Sequence, residues 1–70
     1  MMPLSYAVPG EENIIRRIGG NPEVKKHLEN LGFVVGSSVK VITALEGNVI
    51  VKVREARVAI NDEMARKIMV

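Results

Sequence analysis

The chain has no cysteine and no tryptophan, a single histidine and a single aspartate, and aromatic residues make up only 3% of it. Without thiols there is no disulfide, no thiolate nucleophile and no zinc–cysteine site. His27 alone, with no cysteine and no GxSxG elbow, cannot assemble a serine- or cysteine-type nucleophile and base. With Asp62 the only aspartate, paired carboxylates are scarce, and the adjacent Glu11 and Glu12 diverge on a strand. No apolar run exceeds three residues, so neither a membrane span nor a signal-peptide core is expected. Catalysis is not expected, and a cytoplasmic location suits the lack of cysteine.

What is present is aliphatic and β-branched. Hydrophobic residues form 47% of the 70 residues, and 18 of those 33 are valine or isoleucine, the types that fit a pleated sheet. For a chain this short, apolar burial and chain ordering are opposing terms, each on the order of 100 kcal/mol. Nearly every apolar residue is therefore expected in one core, residues 1–70 form one domain, and no roomy active-site cavity is expected. The net charge of +2 falls well short of a polybasic binder.

Patterning gives the order of elements. Leu4, Ala7 and Val8 are placed to tack an N-terminal arm onto the core, and Pro9-Gly10 ends that arm. Glu12 to Ile18 reads as one curved strand, with Ile14, Arg16 and Ile18 on one side and Ile15 and Arg17 on the other. Asn21-Pro22 caps a helix over 22–31, in which Val24, Leu28 and Leu31 make an apolar stripe and Gly32 ends it in a left-handed conformation. Lys25 and Glu29 form an i,i+4 pair on its outer side. Alternation then predicts strands over 38–44, 48–53 and 56–60 as an antiparallel meander. The Arg54-Glu55 link lacks the residues of a tight hairpin, so a bulged or adjusted turn is expected there. Asn61 caps a short helical turn over 62–67, and Ile68-Met69-Val70 closes as a strand. Short strands of this number bury their edges by curling into a small antiparallel β-barrel with one inserted helix.

Three kinds of site compete. Glu23 and His27, at i,i+4 on the helix, are the only metal-ligand pair, and two exposed ligands fall short of the usual three or four. A solvated helix face explains them better. Arg16, Arg17, Lys40, Lys52, Arg54 and Arg57 fall on strands or turns and permit a basic face, but mid-strand aromatics for base stacking are missing, so no nucleic acid is expected. A protein-docking surface is left. Phe33, Val34, Leu45 and Asn48 are its candidate contacts, with Phe33 better suited to the core.

The segment NPEVKKHLENLGFVVGSSVKV, followed by LEGNVIVKV and by ARVAI…MARKIMV, resembles the FeoA family of ferrous-iron transport accessory proteins. The resemblance runs from Leu4 to the C-terminus. It is most distinctive at Leu31-Gly32-Phe33, Gly36-Ser37 and the Gly47-Asn48 turn. Two positions depart from it: Val35 stands where the family often has proline before the glycine, and Val49 where proline often follows the turn. The resemblance implies an SH3-like barrel with added helices, and a cytoplasmic partner of the FeoB-type iron transporter, which carries a GTPase domain. It also implies transition-metal binding, for which this chain offers few ligands, so docking without a resident cofactor is expected.

Overall fold

The computed structural model describes residues 1–70. Its chain is mainly antiparallel β with two helices. A 3-10 turn, Leu4–Tyr6, precedes β1 (Glu12–Ile14), β2 (Arg17–Ile18), α1 (Pro22–Asn30), β3 (Ser38–Leu45), β4 (Asn48–Val53), β5 (Ala56–Asn61), α2 (Asp62–Ala65) and β6 (Ile68–Met69). The strands are bonded as two sheets, one in the order β1-β3-β4-β5 and a smaller one pairing β2 with β6. The N-terminus extends the small sheet, since Met2 and Val70 exchange backbone hydrogen bonds of 2.9 and 2.8 Å.

Where one strand is expected over Glu12 to Ile18, the chain changes sheets midway. Ile15 exchanges backbone bonds with Gly36 and Ser37, whereas the next residue, Arg16, donates its N–H to Met69 O at 2.8 Å. The apolar residues on both sides of this stretch reflect that switch. Ile15 is fully buried and Ile14 is exposed.

Both ends of α1 are fixed by local hydrogen bonds. Asn21 Oδ1 accepts the Val24 N–H at 2.9 Å, and Pro22 occupies the first turn, where its missing N–H costs no intrahelical bond. At the other end Gly32 adopts φ +108°, Gly32 N–H donates to Glu29 O, and Phe33 N–H donates to Leu28 O, each at 2.9 Å. Those two bonds are a Schellman cap, whose usual partner is an apolar contact between the residue past the glycine and the one five before it. Here that pair is Phe33 and Leu28, both wholly buried in the core.

The meander is as expected in its strands but not in its irregularities. β4 and β5 keep an unbroken register from Asn48↔Asn61 to Val53↔Ala56, so Arg54-Glu55 is a two-residue turn without a bulge. Its strain is carried by Arg54, a non-glycine at φ +56°. The bulge lies in β3 instead, at Ile42, between the Val41↔Val51 and Thr43↔Ile50 pairs. Val49, Val51 and Val53 face the core from β4, and Val39 and Val41 from β3. Asn61 caps α2 through Met64 N–H at 2.8 Å.

Thirteen hydrophobic residues are buried and seven more pack partly against them. The core does not consume the whole apolar complement. Met1, Tyr6, Val8, Ile14, Val35 and Leu45 remain exposed, so Val8 does not tack the arm down, although Leu4 and Ala7 do.

Two opposite substitutions test these backbone assignments by urea unfolding. A Cβ at Gly32 would meet Val53 Cγ1 at an ordinary 3.5 Å, so the cost of Gly32→Ala is conformational, about 1–3 kcal/mol of lost stability. Arg54→Gly relieves a left-handed side-chain residue and is expected to raise stability by up to about 1 kcal/mol.

Candidate docking surface

The four candidate contact residues do not form one patch. Phe33 has none of its surface exposed and belongs to the core. Val34 follows the α1 cap at the start of the hairpin. Leu45, 61% exposed, and Asn48 pair across its far end. The length of β3 separates them by roughly 20 Å at ~3.3 Å per residue. Glu23 and His27 both stand exposed on α1, and no group of three or more His, Asp or Glu side chains gathers anywhere in the chain.

Around Val34 a groove of about 440 Å³ opens between α1, the loop after it, and β2. Its apolar wall is Ile18, Val34 and Val35 over the buried Phe33 ring, and its rim carries Arg16, Arg17, Lys25 and Glu29. The cap of α1 sets this geometry. Once Phe33 is turned into the core, Val34 and Val35 are the next two residues, and the loop is held by Ser37 N–H to Val34 O at 2.9 Å. Gly36, at φ +93°, donates to Ile15 O at 2.8 Å and fixes the loop to the point where the chain changes sheets.

None of the rim charges is paired. The two ion pairs of the molecule, Arg66–Asp62 and Lys67–Glu63, both belong to the α2 region, and Lys25 and Glu29 do not bridge despite their i,i+4 spacing. Strand alternation puts Arg16 and Arg17 on opposite sides, yet both line this groove because Arg16 sits at the sheet switch. That convergence had no signal in sequence spacing.

A second groove, about 330 Å³, lies over the larger sheet and is lined by Glu12, Ser37, Ser38, Lys40, Lys52, Arg54 and Glu55, with no apolar residue. Register places Glu12, Lys40, Lys52 and Arg57 side by side across four strands. Three adjacent cations in one cross-strand row repel each other, which costs stability.

The chain matches the FeoA domain over residues 2–70. It belongs to the FeoA family. The "Putative Fe(2+) transport protein A" of Methanocaldococcus jannaschii is 37% identical over 70 residues, which cover 100% of this chain and 85% of that protein. A crystallised iron uptake regulatory protein, FeoA, superposes with a TM-score of 0.89 at 29% identity, over 97% of this chain and 90% of that one. A manganese-dependent transcriptional repressor superposes at 0.86 with 22% identity, over 94% of this chain and 38% of its own, a likeness of fold alone. The fold is the small antiparallel β architecture expected from the strand order, and membership of the family associates the chain with iron transport. No helix is long and apolar enough to cross a membrane.

Reversing the middle cation of the sheet-face row tests its cost. Lys52→Glu makes opposite-charge pairs with both Lys40 and Arg57, and is expected to raise stability by about 0.4–2 kcal/mol at low salt. Urea unfolding at low and high ionic strength checks this, since screening shrinks the gain.

Proposed function

We propose that this FeoA-family chain is a non-catalytic accessory protein of ferrous-iron uptake that works in the cytoplasm by docking on the cytoplasmic GTPase part of a FeoB-type transporter. The observation that carries the reading is the groove beside α1. It combines an aliphatic wall with unpaired cations, a composition suited to a protein surface rather than to bond-making. The family match over residues 2–70 supplies the transport context.

In this reading the chain acts by contact and holds no resident metal. Glu23 and His27 offer two exposed ligands one helical turn apart, short of a closed site. Titration with Zn2+ or Fe2+ is expected to leave the His27 resonances unmoved, and a saturable shift there would reinstate the carrier reading. The row Lys40–Lys52–Arg57 favours one rival, nucleic-acid binding. Against it, Phe33 is buried and Tyr6 sits on the N-terminal arm, so no aromatic platform lies on that sheet face. Salt-dependent retention on single-stranded RNA would support the rival.

Docking itself is tested by binding the purified chain to the transporter's cytoplasmic part. Val35 is 60% exposed, so Val35→Glu leaves the core intact while removing part of the aliphatic wall and opposing the groove's cations. It is expected to weaken binding at least about tenfold, a change of about 1.4 kcal/mol. Absence of binding by the unaltered chain at tens of micromolar would contradict the proposal.

A further inference from the structure

We infer that the groove beside α1 recognises an acidic protein segment carrying a single aliphatic anchor residue. This rests on the docking reading above and specifies what the partner presents there.

Charge distribution is the first ground. The groove holds three cations, Arg16, Arg17 and Lys25, against one carboxylate, Glu29. Removing these from the chain's ten cations and eight carboxylates leaves seven of each, so the excess of +2 is concentrated at this groove. None of the three cations has a carboxylate within ion-pair distance in the folded chain. Unpaired exposed cations around a concave site raise its potential and steer an oppositely charged partner into it.

The wall is the second ground. Ile18, Val34 and Val35 are aliphatic, and Val35 in particular is presented to solvent. Such a wall rewards an aliphatic side chain by burial, at about 25 cal/mol per Å². It offers a nucleobase no ring to stack on, which separates this occupant from a polynucleotide. At about 440 Å³ the groove admits a few side chains of a segment and not the face of a globular domain. The two arginines can each take a carboxylate bidentately, whereas Lys25 across the groove acts as a point charge. Glu29 sets a limit on the occupant, because it repels a carboxylate placed against the last turn of α1.

The second groove carries a weaker claim to the same ligand. Two of its five charges are carboxylates and it has no apolar wall, so it provides no anchor.

The test uses the full chain, isotope-labelled, titrated with the peptide Asp-Glu-Leu-Asp-Glu and with Lys-Lys-Leu-Lys-Lys. The acidic peptide is expected to move the amides of Arg16, Arg17, Lys25, Val34 and Val35 saturably below about 1 mM, with affinity falling as salt rises. The basic peptide is expected to move none of them. Arg16→Glu with Arg17→Glu is expected to weaken the acidic peptide at least about tenfold. Lys52→Glu with Arg57→Glu, which removes the same charge from the sheet face, is expected to change it less than about twofold. The inference is overturned if the acidic peptide moves no groove amide by about 1 mM, if the basic peptide binds as well, or if the two double variants weaken binding equally. The transporter's cytoplasmic part is run alongside. Should it bind while the peptide does not, this inference fails and docking stands. Should the peptide bind while the transporter part does not, docking on that partner fails and the groove's specificity stands.

Discussion

Two backbone hydrogen bonds at the end of α1 govern much of this molecule. Because Gly32 adopts a left-handed φ, the Phe33 N–H reaches back to Leu28 O and the Gly32 N–H to Glu29 O. The cap satisfies carbonyls that a helix end would otherwise leave unpaired. It also decides a direction: Phe33, the largest fully buried side chain, turns inward, and the chain leaves the helix along the surface. Everything built from Val34 to Ser38 inherits that exit. The loop then bonds to Ile15, where the other half of the structure changes sheets, so one short contact joins the helix, the large sheet and the small one.

The same constraint creates the exposed surface. A chain with so many aliphatic residues would be expected to bury them all, yet Ile14 and Val35 lie on the outside near this junction. Val35 contributes its side chain to the groove wall. Arg16 and Arg17 converge on the groove because one of them belongs to the strand switch and the other to β2. The groove thus arises where sheet geometry is interrupted.

Much of the fold was legible in the sequence because it is written in local chemistry. Asn21, Pro22 and Gly32 mark the helix, Asn61 marks α2, and valine alternation marks β3 and β4. Their physical causes act within a few residues, so spacing alone exposes them. The rest depends on which residue lies across from which. The sheet switch at Ile15-Arg16 follows from two competing partners, Ser37 and Met69, far away in the chain. The bulge at Ile42 and the cation row Lys40–Lys52–Arg57 exist only once register is fixed. For the same reason Leu45 and Asn48 read as companions of Val34, although the intervening strand holds them apart.

If the chain docks as proposed, it meets its partner beside the α1 cap and not at the far turn of the hairpin. Site-specific photo-crosslinking tests it most directly, with a photoreactive residue placed at Val35 in one protein and at Leu45 in another, both irradiated with the transporter's cytoplasmic part. Both positions are well exposed, so neither probe disturbs the core. Docking at the groove gives a covalent adduct from Val35 and none from Leu45, whereas adducts from Leu45 without any from Val35 would place the partner at the hairpin turn and refute it.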